Sequence, residues 1–300
     1  MQGFIVLDKP TGMTSHTAVT RVRRCFGKGK SAPRAGHAGT LDPDASGVLV
    51  VLVGSARRLA GYLAGHDKDY RARVRLGART STDDAAGEVI ETRPLPAELD
   101  RAQVEAALAR FIGEIDQVPP AVSAVHVNGE RAYRLARRGE TPHLAPRRVR
   151  FDRIDLAAFE PPELELEIAC GAGAYVRALA RDLGEALSCG AHLARLVRAR
   201  SGSFTLDEAI GLGRLEALAA AGSASEALRP AREALPDWPA FTPEADAAAR
   251  LAHGNAVELE EAVAEGPALA LASSGEVLAI VEIERGGDGR LARPRKVLAG

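Results

Sequence analysis

Gly36-His37-Ala38-Gly39-Thr40-Leu41-Asp42-Pro43-Asp44-Ala45-Ser46-Gly47 is the stretch on which the reading of this chain turns. A single carboxylate, Asp42, is set among small residues and followed by a proline. Glycines at 36, 39 and 47 allow a sharp turn or a close approach to the backbone. Pro43 fixes its own φ and biases Asp42 toward an extended conformation. An acid held that way suits a nucleophile or general base. Clusters of Gly, Asp, Pro and Ser also make ordinary turns, so the string alone leaves a turn and a catalytic loop both open.

Outward from this loop the pattern is of strands and helices in alternation. The apolar run 48–53 reads as a buried strand, and residues 3–8 as another. Ser15 is placed to cap a helix over 16–26, and Ser55 a second helix through about 63. Residues 69–77 alternate with period two: Tyr70, Ala72, Val74 and Leu76 face one way, and Arg71, Arg73 and Arg75 the other. A helix is expected over 100–112 and a short basic one over 130–138, with strands over 147–157 and 163–170. After Gly171–Gly173, Val176, Leu179, Ala180, Leu183 and Leu187 share one helical face, with Arg177 and Arg181 on the other. Residues 220–240, rich in Ala, Ser and Pro, read as a linker. From Phe241 follow a short helix to Leu251, a Gly254 turn and strands near 256–259, 268–272, 276–284 and 291–298.

The bulk properties narrow the function. Three hundred residues suit two domains. No apolar run is long enough to span a bilayer, and the start of the chain lacks signal-peptide character, so a cytoplasmic protein is expected. Cys25, Cys170 and Cys189 are dispersed and imply neither a disulfide framework nor a zinc site. The net charge of −1 conceals an asymmetry: residues 1–82 carry +9 and residues 201–300 carry −7. A basic N-terminal region points to a polyanionic partner. No metal cluster and no nucleotide-binding glycine loop is visible, so no nucleotide cofactor is implied.

Asp42 needs a partner if it is buried. Arg177, at a helix start, can hold a carboxylate ionised, and Tyr70 offers a flat face and a phenol. Taken singly, Tyr70 also reads as a core aromatic and Arg177 as a surface charge. Gly36 through Pro43 with Ser46-Gly47 resembles the signature of the TruB family of tRNA pseudouridine synthases. The similarity extends in order to Gly3–Gly12, Lys68-Asp69-Tyr70 with Leu76-Gly77, Val118–Ala124 and Tyr133–Gly139. It continues through Gly173-Ala174-Tyr175-Val176-Arg177 with Asp182-Leu183-Gly184, and Gly190–Leu193 with Leu196.

The resemblance implies an α+β fold: a mixed, mostly antiparallel sheet with flanking helices, followed by a small β-rich PUA-like domain. The catalytic domain is expected over 1–235, with an insert at about 113–147, and the PUA-like RNA-binding domain over 241–300. Asp42 is implied as the nucleophile, Tyr70 as the residue packing on the uracil and moving a proton, and Arg177 as the partner of Asp42. His37, Leu196 and Tyr175 would shape the substrate pocket, and Lys9 would contact RNA. The implied substrate is uridine 55 in the T loop of tRNA, flipped from its stack and isomerised to pseudouridine without metal or cofactor. The insert resembles the bacterial form, so no guide RNA is expected, and a monomer is preferred. Residues 171–174, Gly-Ala-Gly-Ala, depart from the family's more polar pattern, as does Pro43-Asp44-Ala45-Ser46. Two rivals remain. A non-catalytic RNA-binding protein would share the basic region. An aspartyl-phosphate phosphatase would read Asp42-Pro43-Asp44-Ala45-Ser46 as its loop, although the apolar strand such loops follow is missing here.

Overall fold

The computed structural model describes residues 1–123, 125–127, 129–140, 143–259, 263–286 and 289–298. The insert at 113–147 and the C-terminal unit therefore each include residues outside the described set, among them Ala124 of the family block.

A ten-stranded sheet forms the centre of the molecule. Its strands are β1 (Gln2–Lys9), β2 (Ala35–His37), β3 (Ser46–Gly54), β4 (Lys68–Leu76), β5 (Gly113–Gln117), β6 (Arg147–Glu160), β7 (Glu163–Cys170), β8 (Ala191–Ser201) and β9 (Ile210–Gly211), with Phe204–Thr205 added to β8. The order is β9-β1-β3-β8-β4-β7-β6-β5, and β2 pairs with β3. Only β9–β1 and β3–β8 are parallel pairs, so the sheet is mostly antiparallel, as expected. Helices α1 (Ser15–Cys25), α2 (Arg101–Ala109) and α3 (Val176–Ala186) contribute apolar side chains to the core on one face of the sheet.

β4 shows why the central strands are where they are. Its burial alternates strictly, with Tyr70, Ala72, Val74 and Leu76 inside. Its outer arginines meet the outer glutamates of β7 in register, giving Arg73–Glu165 at 2.6 Å and Arg75–Glu163 at 3.4 Å. These exposed pairs add little stability, but they neutralise part of the N-terminal positive charge. Burial of the inward side chains supplies most of the driving force, about 1.5–3 kcal/mol for each large apolar residue.

Local corrections follow from capping chemistry. α1 is capped by Thr14, whose side chain accepts from the Thr17 amide at 3.0 Å; Ser15 is the first helical residue and is buried. Ser55 begins a 3₁₀ turn, Ser55–Leu59, ahead of a short helix at Ala60–Ala64, and the residue before it is Gly54 at φ +69°. The expected linker over 220–240 is packed: Ala231, Ala234 and Leu235 are buried in a core shared with Phe4 and Val50 of the central sheet and Val277 and Ile280 beyond. Its small residues fit a close contact and do not make a free tether. The C-terminal unit is β-rich as expected, a five-stranded sheet with the Ala245–Ala252 helix. Gln2 joins the two sheets by accepting from the Val277 amide and donating to its carbonyl, both at 3.0 Å.

Candidate active site

The loop between β2 and β3 carries Asp42 and is fastened on several sides. Ser15 Oγ donates to the Leu41 carbonyl and accepts from the Leu41 amide, both at 2.8 Å. Lys9 Nζ donates to Pro43 O at 3.2 Å, Met13 O at 2.8 Å and Pro10 O at 2.9 Å. Arg198 donates from Nε to Val48 O at 2.7 Å, from Nη2 to Gly39 O at 3.1 Å and from Nη1 to Thr40 O at 3.4 Å. Gly39 and Gly47 both sit at φ +99°, and a Cβ on Gly47 would lie 2.2 Å from the Arg198 carbonyl. Gly36 has no such need, since a Cβ there would touch only the Arg57 stem at 3.9 Å.

This frame brings Asp42 and Arg177 together. Arg177 Nε lies 3.0 Å from Asp42 Oδ2, and its Nη1 lies 3.5 Å from Asp84 Oδ2. Nη1 also donates to Thr82 O at 3.1 Å, and Nη2 to Val122 O at 3.0 Å. The Arg177 side chain is 6% exposed and that of Asp42 is 43% exposed. A buried fork with a contact on each of its three nitrogens thus presents a carboxylate that still opens to a ligand. Desolvation pushes the Asp42 carboxyl above the usual carboxylate range; Arg177 and Lys9 pull it back, and Asp84 pushes it up. The surface-charge reading of Arg177 is excluded, because α3 buries residues 176–180 in succession.

Tyr70 lies in register between Ile168 of β7 and Arg198 of β8, 9% exposed. Burial raises its phenol pKa, the Arg198 guanidinium lowers it, and the Asp42 charge also acts on it. His37 ends β2 half-buried, with a buried Nδ1 that has no partner among the described residues. Burial, then Arg198 and His16, lower its pKa. Leu196 is half-buried on β8 opposite Ala72, against the main core. Tyr175 immediately precedes α3, and its peptide is held by Gln117: the amide donates to Gln117 Oε1 at 2.9 Å and the carbonyl accepts from Nε2 at 3.2 Å.

Lys9 is a correction. It is 0% exposed, with its ammonium spent on three carbonyls, so it braces the Asp42 loop and cannot face RNA. Three contributors escaped sequence reasoning: Arg198, Asp84 and Gln117. Arg198 is hidden among Arg195 and Arg200 on a strand whose pairing with β4 carries two irregularities, one between 193 and 195 and one between 198 and 200. These place Arg198 inside at 1% exposure while Arg200 pairs outward with Asp69 at 2.7 Å. Cys170 is an inert neighbour, since burial pushes its thiol up to about 12.

Comparison with known proteins places this arrangement. The fold is shared with the solved structure described as a Cbf5-Nop10-Gar1 complex, at TM-score 0.73 and 27% identity, covering 99% of this chain and 84% of that one. Residues 23–176 match the TruB family pseudouridylate synthase N-terminal domain, and residues 177–235 match the tRNA pseudouridylate synthase B C-terminal domain. The chain belongs to the TruB family of pseudouridylate synthases and is therefore an isomerase. It is similar to tRNA pseudouridine synthase B of Mycobacterium sp. strain KMS, 46% identical over 93% of this chain and 92% of the relative. It is also similar to tRNA pseudouridine synthase B of Thermobifida fusca, 42% identical over 99% of both chains. Membership of this family removes the phosphatase and non-catalytic readings.

Proposed function

We propose that this protein converts uridine 55 in the T loop of tRNA to pseudouridine, with Asp42 as the nucleophile. The observation that carries the reading is the 3.0 Å pair between buried Arg177 and half-exposed Asp42, on a loop braced from three other elements. The relatives' names supply the tRNA. The rest is chemistry that these residues can perform.

The target nucleotide leaves its stack at a cost of about a few kcal/mol. Stacking on Tyr70 returns about 1–3 kcal/mol. Asp42 attacks as a carboxylate, at C6 of the uracil or at the sugar. The N1–C1′ bond breaks, the detached ring turns within the pocket, a C5–C1′ bond forms, and the bond between Asp42 and the carbon it attacked breaks, which regenerates the carboxylate. C5 then loses its proton and N1 gains one, so composition is unchanged and no oxidant or donor is consumed. Tyr70, held against Arg198, moves the C5 proton in this reading. His37, Leu196 and Tyr175 enclose the uracil and limit its escape. Lys9, Ser15 and Arg198 hold the loop rigid, which keeps the carboxylate from relaxing between steps.

The enzyme works without a guide RNA and in the cytoplasm, where its substrate is. Tritium release from [5-³H]uridine-labelled tRNA, with purified protein and no other RNA, tests the reaction. Mapping pseudouridine in the product tests the position. A product modified outside the T loop, or no release from any tRNA, overturns the reading.

A further inference from the structure

Much of the positive charge on and around the central sheet is already spent inside the molecule. Arg21 pairs with Glu216 at 2.6 Å, Arg73 with Glu165 and Arg200 with Asp69. Lys9, Lys68 and Arg198 are buried on carbonyls. A different situation holds in the cleft between α1 and β2, a space of about 540 Å³ whose walls carry His16, Arg23, Arg34, Gly36, His37 and Arg57. No carboxylate lines it. Among the described residues, Arg34 has no hydrogen bond or ion pair through its side chain, and it is exposed. Arg57 spends only Nε, on Gly54 O at 3.2 Å, so both terminal nitrogens are unspent. Arg23 donates to Pro33 O at 3.1 Å and Gly29 O at 3.0 Å, which leaves Nη1 over.

The cleft also has a direction. β2 runs from the Arg34 end to His37, and the chain enters the Asp42 loop directly after it. Three residue steps of extended chain carry Arg34 to His37, about 10 Å. The inner end carries the buried, unpartnered Nδ1 of His37, and the outer end carries the free forks. A trough whose charged walls, among the described residues, are all arginine, leading away from a catalytic loop, matches a phosphodiester chain. Guanidinium forks take phosphate oxygens in pairs, and such contacts fix the register of a nucleic acid without reading its sequence.

We propose that this cleft is a phosphodiester track that grips the RNA backbone flanking the target uridine, with Arg34 and Arg57 at its outer end and Arg23 on its wall. The inference rests on the tRNA reading above. It sets the register by which one nucleotide arrives over Asp42 while its neighbours stay outside. Phosphate contacts made by Arg34 and Arg57 act on substrate capture and leave the chemical step alone.

The test uses the full chain, a T-arm stem-loop RNA and a salt titration of binding. The variants are Arg34→Gln, which removes no contact within the protein, Arg34→Gln/Arg57→Gln, and Arg101→Gln as a control far from the cleft. The double variant is expected to flatten the slope of log K against log salt by about 1.5, for two lost phosphate contacts. Its KM should rise about tenfold or more with kcat within about twofold, and Arg34→Gln should give about half of the slope change. The control should match wild type. An unchanged slope and KM in the double variant, with wild-type turnover intact, overturns the track. Absence of turnover in wild type would instead defeat the uridine reading. The salt slopes would then still decide the cleft, since they need no catalysis.

Discussion

Replacing Arg177 by alanine removes four interactions at once. Asp42 loses its 3.0 Å partner, Asp84 loses its 3.5 Å partner, and the carbonyls of Thr82 and Val122 lose their donors. A charge-assisted hydrogen bond contributes about 1.5–3 kcal/mol. Asp42 is 43% exposed, so water offsets part of this. About 2 kcal/mol remains at stake in the transition state, which is about 30-fold in rate. The sign of the pH effect follows from the same geometry. The proposed reaction needs Asp42 ionised; its pKa already lies above the usual range through desolvation, and Arg177 is the largest influence pulling it down. Without Arg177 the acid limb of the rate profile moves to higher pH, and activity at a fixed mildly acidic pH falls further than at alkaline pH. Arg177→Lys keeps a charge but cannot bridge two carboxylates and two carbonyls, and should fall between, near fivefold down. Single-turnover tritium release across a pH series, with thermal melts to confirm folding, gives the answer. A folded Arg177→Ala enzyme with a rate within twofold of wild type and an unmoved acid limb refutes the pair as the organising feature.

Other substitutions separate the loop's braces from its chemistry. Lys9→Met should lower kcat and melting temperature while leaving the tRNA Kd within about twofold; a tenfold weaker Kd with an unchanged melt would restore the RNA-contact role. Gln117→Ala strands both polar groups of the Tyr175 peptide, at about 1–3 kcal/mol each, and should reduce kcat more than it raises KM. Gln117→Glu keeps the acceptor and should recover part of the loss, and equal effects of the two variants in steady-state kinetics would refute the clamp. Gly47→Ala places a Cβ 2.2 Å from the Arg198 carbonyl at φ +99°, and should lower stability by at least about 2 kcal/mol, several degrees in a thermal melt. A melt within 1 °C of wild type, about the noise of such a scan, would show the loop to be looser than described.

The features legible in the sequence were those with a local cause. Period-two burial on β4 follows from alternation of apolar residues with arginine, and the Asp42 loop announces itself through its glycines and proline. What stayed hidden depends on partners distant in sequence. Arg198 looks like its neighbours Arg195 and Arg200 until irregular pairing with β4 turns it inward. Asp84 gains meaning only because α3 delivers Arg177 beside it. Gln117 reads as a polar strand end until the Tyr175 peptide lands on it. Lys9 misled for a related reason: a lysine next to a turn reads as exposed, yet here three carbonyls converge on it. The alanine-rich stretch at 220–240 reads as a tether in the sequence because small residues suit both free chain and close packing, and composition does not tell them apart.

The central claim is that Asp42 is the nucleophile and that the rest of the loop serves it. Asp42→Asn preserves size and leaves Ser15, Lys9 and Arg198 bound to the same backbone atoms. Tritium release under single-turnover conditions, with tRNA binding measured in parallel, tests it most directly. No detectable release is expected from Asp42→Asn, with tRNA affinity within a few-fold of wild type and full activity in the neighbouring Asp44→Asn. Turnover in Asp42→Asn, or its loss in Asp44→Asn alone, would contradict it.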